Sequence, residues 1–303
     1  MSTADHCELS AWGKHGVEAR ALSIASPDAC LTNWSAAAVW GLPLLGKPPP
    51  RPSVVWPKVP GLGSSSTSPG RFLVADIPPH HWTEFGDAHV VSRAWAAVDV
   101  ARKAPLASAL VVVDAAQRSG ANVVEAARHM RHWPGVIRAK WVVNQSDPGA
   151  ETPLETLGRF TCIEFDLPKP VSNAWVGRDG PIFRVDGLWP WHWVASEADG
   201  AIKYNDRPDA AEIVMAQTER EWYLRRLGLD LARYNWQLAT RRRHELAARF
   251  AALLRDNPPR PEPIRWWKDV PGVGPVEPGP EDWPSPLPTD GVLPGKQPRR
   301  QRP

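Results

Sequence analysis

The chain is poor in cysteine and has no long apolar run, and these two absences exclude disulfide-rich and membrane-spanning classes of protein. Cys7, Cys30 and Cys162 are the three cysteines in 303 residues. Their odd number and wide spacing exclude a disulfide framework and a cysteine zinc motif, so we expect reduced, structural thiols. No apolar stretch approaches the roughly 18 residues that span a bilayer, and a charged-then-apolar signal peptide is missing. We therefore expect a cytoplasmic protein with no membrane partner.

An excess of charge of one sign is also missing, because the net charge is only +3. The hydrophobic fraction of 43% and charged fraction of 23% are typical of a globular protein. Positive charge nevertheless gathers in the C-terminal half, at Arg220, Arg225, Arg226, Arg241, Arg242 and Arg243. Such runs are usually a solvated surface, and contact with nucleic acid is the alternative interpretation.

The pattern of helix and strand signals predicts an α+β protein with three segments. Residues 1–147 form a mostly helical N-terminal domain with a few short strands. A helix is expected over 28–41, with Thr32 or Asn33 as its N-cap. Strands are expected at 53–56, 71–76 and 88–91, and helices from residue 92 onward, including 122–132 and 135–144.

The pattern of helix and strand signals over residues 148–255 predicts a second domain, of the α/β type with a mixed sheet. Its expected order is a helix to about residue 161, three or four strands, a helix over 209–227, a strand over 229–234 and a helix over 241–255. Residues 256–303 hold 14 of the 34 prolines and predict a disordered Pro-rich tail. Within it, the tryptophans Trp266, Trp267 and Trp283 are expected to be short contacts with the folded part.

Three acids in the second segment point to a divalent-metal site. Asp186 ends one strand-like run, and Glu197 and Asp199 end the next. Side chains alternate along a strand, so Glu197 and Asp199 face the same side. A hairpin through 187–190 would bring Asp186 beside them. Converging carboxylates are unfavourable unless a cation neutralises them.

Other polar residues complete or flank this predicted site. Glu155 would close it from the opening helix. Lys203 would either stabilise developing phosphate charge or extend into solvent from a loop. Asp199 is either a third ligand or, with Gly200, the turn that ends the strand. His192, in the hairpin, is a candidate proton carrier.

The histidines and acids of the first segment favour ordinary roles. His80 and His81 follow two prolines and indicate a loop rather than a ligand pair. His129 and His132 are one helical turn apart, and a solvated surface explains them better than a metal. Asp99 and Asp114 are expected to be structural polar groups within helices.

An ordered set of motifs in the second segment resembles the restriction-endonuclease-like, PD-(D/E)XK fold. The set comprises Thr-Pro-Leu-Glu at 152–155, Arg-Val-Asp at 184–186, Glu-Ala-Asp-Gly-Ala-Ile-Lys-Tyr at 197–204, Glu-Arg-Glu at 219–221 and Arg-Tyr-Asn-Trp at 233–236. The nearest branch is that of very-short-patch repair (Vsr) endonucleases, and the resemblance covers about 148–255.

This resemblance implies a mixed sheet flanked by helices, Mg²⁺ (or Mn²⁺ in its place) and cleavage of nucleic acid by activated water. Asp186 and Glu197 would be metal ligands, with Asp199 as a further candidate and Glu155 as the supporting helix acid. The sequence departs from the family at one point. The usual Glu-x-Lys is Glu197-x-Asp199 here, so Lys203 would have to substitute from the following loop.

The first segment resembles a different family, the AbiEi-type antitoxins of type IV toxin–antitoxin systems. The similarity is carried by Ser-Ala-Ala-Ala-Val-Trp-Gly-Leu-Pro at 35–43, by 91–102 and by Val-Asp-Ala-Ala at 113–116. It covers about 20–145 and implies a cognate toxin as a partner. These antitoxins usually begin with a winged-helix domain, which we expect this chain to lack.

The leading hypothesis is a magnesium-dependent DNA endonuclease of a bacterial defence protein, with Asp186 and Glu197 holding the metal. The alternative is a non-catalytic antitoxin or regulator that binds DNA or a partner toxin with a degenerate nuclease fold. A third reading is an antitoxin-like partner that binds protein only.

Overall fold

The computed structural model describes residues 9–58, 61, 63–200, 210–288 and 293–294. The chain divides into two compact units, Met1–Pro148 and Gly149–Pro303. Each unit combines helices with one six-stranded mixed sheet, which confirms the α+β prediction. Among the described residues, no helix has the length and apolar character needed to cross a membrane.

The first unit is a sheet covered by six described helices. The helices are α1 Ala11–Ile24, α2 Asn33–Val39, α3 Arg93–Ala101, α4 Leu106–Arg118, α5 Val123–His129 and α6 Val136–Gln145. The strands are β1 Cys30–Leu31, β2 Ser53–Pro57, β3 Ser65–Ser66, β4 Arg71–Ala75, β5 Trp82–Phe85 and β6 Ala88–Val91. They are ordered β3-β4-β2-β1-β6-β5, and a 3-10 helix, Pro79–His81, precedes β5.

The predicted strands at 53–56, 71–76 and 88–91 are confirmed. The helix predicted within 28–41 is confirmed with Thr32 as its N-cap, but Cys30 and Leu31 before the cap form strand β1. Leu31 pairs with both Val54 and Val90, so it belongs to a central strand. The helix begins only at Asn33, after Thr32 as its N-cap. The buried Asp99 has the predicted structural role, because it pairs with Arg102 and lies 3.6 Å from Lys103 Nζ.

The second unit follows the predicted order of helix, strands, helix, strand and helix. Its helices are α7 Pro153–Glu164, α8 Ala210–Arg226, α9 Trp236–Thr240 and α10 Arg243–Asp256. Its strands are β7 Val171–Val176, β8 Phe183–Trp189, β9 Val194–Asp199, β10 Asp230–Asn235, β11 Trp266–Val270 and β12 Gly274–Val276. The sheet order is β10-β9-β8-β7-β11-β12, with β9 and β10 parallel and the other neighbours antiparallel.

The prediction that 256–303 is disordered is wrong for its first part. Trp266 and Trp267 pair with Val176 and Trp175 of β7, so β11 extends the sheet. Trp283 packs against Trp191 and Trp266 at ring separations of 5.7 Å. The expected tryptophan contacts are therefore confirmed. Burial of these rings offsets the conformational entropy that is lost when this proline-rich segment becomes ordered. The positions 289–292 and 295–303 lie outside the described residues.

Candidate functional site

Hydrogen bonds at the N-terminus of α7 fix the Glu155 side chain. Thr152 is the N-cap and its Oγ1 accepts from the Glu155 N–H at 3.2 Å, while the Thr152 hydroxyl donates to Glu155 Oε1 at 2.8 Å. The other carboxylate oxygen accepts from Glu151 N at 2.8 Å and Asn173 Nδ2 at 2.6 Å. Glu155 therefore forms hydrogen bonds that tie the start of α7 to Asn173 of β7.

The β8–β9 hairpin brings Asp186 and Glu197 together, although its turn differs from the prediction. Strand β8 continues through Trp189, and Trp189 pairs with Val194. The turn is therefore 190–193, not 187–190. The backbone pairing extends to Gly187 opposite Ser196, and Asp186 and Glu197 occupy the next position of this register. At that position the Asp186 side chain bonds to the backbone of β9: its Oδ2 accepts a hydrogen bond from the Ala198 N–H at 2.7 Å.

Burial makes the ionised form of this acid group unfavourable. The pKa of Glu197 is raised to about 7: burial is the largest cause and the charges of Asp186 and Asp199 add to it, while Arg220 and Arg233 oppose it. Burial also raises the pKa of Asp186, against the hydrogen bond from Ala198 and the charge of Arg220. Asp199, by contrast, is exposed at the end of β9. The two inner carboxylates thus share a buried location that favours a proton or a cation.

Two arginines supply positive charge at the same place. Arg220 Nη2 donates to Glu197 Oε1 at 2.8 Å and also to the Arg184 carbonyl oxygen. Arg233, opposite Glu197 on β10, pairs with Glu221 at 3.2 Å. A cavity of about 30 Å³, lined in part by Glu197, Asp199, Arg220 and Arg233, opens beside them. Sequence reasoning assigned Arg220 to nucleic-acid contact and missed its place beside the acids.

The buried Tyr234 links the helix acid to the strand acids. Its hydroxyl lies 3.4 Å from the Leu154 carbonyl oxygen, within the first turn of α7. Burial raises the pKa of Tyr234 well above its ordinary value, and the negative charges of Asp186, Glu155 and Glu197 add to that rise. The predicted acids on α7, β8 and β9 therefore surround one phenol.

The remaining arginines predicted to bind nucleic acid have separate surroundings. Arg225 pairs with Glu221 at 3.0 Å, Arg242 pairs with Glu245, and Arg243 Nε lies 2.8 Å from Glu164. Arg226 lies over the ring of Trp222 at 4.5 Å, and that indole is 58% exposed. Arg241, at the end of α9, is exposed.

The predicted proton carrier, His192, has its hydrogen-bond partners elsewhere in the second unit. Both ring nitrogens of His192 face backbone carbonyl oxygens, Nδ1 that of Asn257 at 2.7 Å and Nε2 that of Pro286 at 3.1 Å. This histidine therefore fastens the hairpin turn to the tail and does not serve as a proton carrier. Lys203 lies outside the described residues.

A histidine cluster in the first unit was also missed. His80, His81 and His129 surround the carboxylate of Glu125. His80 and Glu125 are 45 positions apart in the sequence, so periodicity gives no signal for their meeting. The predicted loop at His80 and His81 is instead the end of a 3-10 helix, Pro79–His81.

Comparison with known proteins gives relatives but no function. Two curated proteins from two strains of Mycobacterium tuberculosis, each described as uncharacterized, are 31% identical to this chain over 166 residues. The matched region is 53% of this chain, and the chain spans 60% of the length of each relative. No family model matches the chain. No solved structure matches it.

Proposed function

We propose that the chain is a magnesium-dependent DNA endonuclease of a bacterial defence system, with its active site at Asp186 and Glu197. One observation carries this proposal. The buried Glu197 and the half-buried Asp186 occupy facing positions on adjacent strands, and the pKa of Glu197 is raised to about 7, chiefly by burial. A folded protein gains little from such a pair unless it binds a cation or a proton there.

The donor set suits a hard divalent cation. Mg²⁺ prefers oxygen ligands and is usually held by one or two carboxylates. Asp186 and Glu197 would hold it, with the exposed Asp199 beside them. When bound, the ion would polarise the scissile phosphate and lower the pKa of a water nucleophile.

Residues of the chain itself would orient the reacting groups. The Ala198 N–H holds one oxygen of Asp186 in place. Arg220 places a guanidinium next to Glu197, and a fixed positive charge there would stabilise negative charge that develops on a phosphate. Arg220 would thus take the role of the lysine missing from the Glu-x-Lys pattern. Glu155 and Asn173 would keep α7 against the sheet below the acids.

An exposed aromatic residue near the acids supports a nucleic-acid substrate. Trp222 follows Glu221, which lines the cavity beside Glu197, and Arg226 covers one face of its ring. Exposed indoles stack on unpaired bases, and arginines add contact with phosphate. We therefore propose that α8 carries the strand that is cut.

The test is cleavage of supercoiled plasmid and of single-stranded DNA with Mg²⁺, with Mn²⁺ and with chelator. We expect metal-dependent nicking that falls about a hundredfold or more in Asp186→Asn and Glu197→Gln. The isosteric changes keep the fold, which circular dichroism would verify. Glu277→Gln, whose carboxylate is 69% exposed, is the matched control. Equal nicking by all four proteins would remove the active-site assignment.

A second candidate function is supported by the Arg220–Glu197 ion pair. Because Arg220 already neutralises Glu197, the acids form a stable site without metal, as in a degenerate nuclease fold that only binds. We propose in that case an antitoxin-like regulator that grips DNA or a partner toxin. It predicts salt-dependent DNA binding without product and no shift of Tm with Mg²⁺. A magnesium-dependent rise in Tm that Asp186→Asn abolishes would contradict it.

A further inference from the structure

Four side chains of the first unit converge on one point from two elements that are far apart in sequence. His80 and His81 belong to the 3-10 helix Pro79–His81, and Glu125 and His129 lie one turn apart on α5. Glu125 Oε1 is 3.0 Å from His80 Nε2 and 2.8 Å from His129 Nε2. Glu125 Oε2 is 3.1 Å from His81 Nε2.

The spacing of these atoms matches a metal site. The ligand atoms of His80, Glu125 and His129 all lie within 4.8 Å of one another. Bonds of about 2.0–2.2 Å to a tetrahedral zinc ion place ligand atoms about 3.3–3.6 Å apart. The observed separations from the carboxylate are a few tenths of an ångström shorter, so small side-chain movements would admit the ion.

The buried member of the group gives independent evidence for a ligand. The side chain of His81 is 4% exposed, and its Nε2 forms no hydrogen bond with the described residues despite the nearby carboxylate. Its other nitrogen, Nδ1, is 2.7 Å from the Ser92 hydroxyl. Histidines that bind metals are held in this way, with one nitrogen on a protein partner and the other directed at the ion.

The orientation of His81 is fixed by the surrounding structure. The Ser92 N–H donates to the His81 carbonyl oxygen at 2.8 Å, and Ser92 Oγ accepts from Trp95 N at 3.2 Å as the N-cap of α3. The Trp95 ring lies 4.8 Å from the imidazole. The Nε2 atom is thus held toward Glu125 before any ion arrives, which reduces the entropy lost on binding.

We propose that His80, His81, Glu125 and His129 form a binding site for a zinc-class transition-metal ion. Three imidazoles and one carboxylate are a donor set that suits Zn²⁺, Co²⁺ or Ni²⁺ and is poorly suited to Mg²⁺ or Ca²⁺. Four protein ligands make a closed site, so the ion would fasten the 3-10 helix to α5. This site belongs to the first unit and uses none of the acids assigned to the nuclease.

The experiment is a zinc titration of the chelator-treated, full-length protein against a chromophoric competitor, together with Co²⁺ absorption spectra. We expect this site to bind one equivalent of Zn²⁺ and to give the absorption spectrum of tetrahedral Co²⁺ when Co²⁺ is bound. His129→Asn and Glu125→Gln should each lower the affinity for this equivalent of Zn²⁺ tenfold or more. His129 and Glu125 are partly exposed, so these variants should fold, and their Tm without metal verifies this.

Two controls separate this site from other binding. His244→Asn changes a helical histidine that is 73% exposed and should leave zinc affinity unchanged. Glu277→Gln, which changes an exposed acid of the second unit outside both proposed sites, should also leave it unchanged, which separates this site from weak binding to surface carboxylates. A wild-type chain that binds no zinc, or His129→Asn and Glu125→Gln variants that bind it as tightly as wild type, would overturn the proposal and leave Glu125 as the shared ion-pair partner of three imidazoles.

Discussion

Arg220 donates a hydrogen bond of 2.8 Å to the Glu197 carboxylate, so a cation of the protein already lies beside the most strongly perturbed acid of the second unit. The two residues are separated by 23 positions and meet because α8 packs beside β9 and β10. Without Arg220, Glu197 would lose its ion-pair partner and keep only the weaker influence of Arg233 against the charges of Asp186 and Asp199. Loss of one partner of a buried ion pair leaves an uncompensated charge.

Replacement of Arg220 by methionine should therefore destabilise the protein in a pH-dependent way. We expect a loss of about 1–3 kcal/mol in the free energy of unfolding at pH 8. The loss should be smaller at pH 5, where a protonated Glu197 no longer needs the cation. Urea denaturation at both pH values measures this. Arg225→Met, which breaks a pair that is 57% exposed at the arginine, should change stability by about 0.5 kcal/mol or less. Equal losses in the two variants would contradict the assigned role of Arg220.

The raised pKa of Glu197 predicts the sign of a second pH effect. The unfolded carboxyl ionises near 4.5 and the folded one near 7. Between these values the folded state binds the extra proton, so the contribution of Glu197 to stability is present below about pH 4.5 and is lost as the pH rises to about 7. Glu197→Gln cannot ionise and should not show this loss. The difference in free energy of unfolding between variant and wild type should therefore shift in favour of the variant by about 1–3 kcal/mol from pH 5 to pH 8.

The measurement is again urea denaturation, here compared between wild type and variant at each pH. Asp186 and Glu155 also have raised pKa values, so part of the pH dependence should remain in Glu197→Gln. Glu277→Gln should retain the wild-type dependence in full. If Glu197→Gln also kept it in full, the folded pKa of Glu197 would have to be close to 4.5.

Gly158 allows Tyr234 to approach α7 and so to lie among the acids. A Cβ atom at Gly158 would lie 2.1 Å from the Tyr234 hydroxyl oxygen and 2.4 Å from its Cζ. Because Tyr234 is 4% exposed, the ring cannot move into solvent. Gly158→Ala should therefore cost about 1–3 kcal/mol of stability despite the better helix propensity of alanine.

The matched variant is Gly180→Ala, where an added Cβ meets nothing within 4 Å. It should be neutral or slightly stabilising because alanine lowers the entropy of the unfolded chain. Chemical denaturation of both variants tests the contact. If Gly158→Ala proved as stable as Gly180→Ala, Tyr234 would have room to shift, and the close packing of α7 on β10 would not constrain the acids.

The sequence predicted the order of elements in the second unit because local signals mark each one. The start of α7 is predicted by Thr152, Pro153 and Glu155, and the end of α8 by Gly228. The sequence also named the acids that the structure brings together, since Asp186 and Glu197 flank a single hairpin. The exact turn was wrong because Gly187 and Pro190 suggest a break, whereas pairing of Leu188 with both Val171 and Ala195 keeps β8 extended.

Other features depend on contacts between distant residues and leave no local signal. The pairing of Arg220 with Glu197 requires α8 to fold back on β9. The histidine cluster requires the turn at His80 to meet α5. The tail was misjudged for a related reason, because its prolines indicate disorder locally while Trp266 and Trp267 form a strand only against β7.

The burial of Trp266 predicts that the tail is an integral part of the second unit. Trp266 is 1% exposed and packs with Val176, Val185 and Leu224 in the core of the sheet. Trp266→Ala should therefore lower the free energy of unfolding by about 3–5 kcal/mol, through lost burial and the cavity left behind. Leu287→Ala, in the same tail but 65% exposed, should change it by about 0.5 kcal/mol or less. Denaturation monitored by far-ultraviolet circular dichroism measures both variants. Comparable, small effects from the two substitutions would mean that the tail detaches without cost, and β11 would then not belong to the stable sheet.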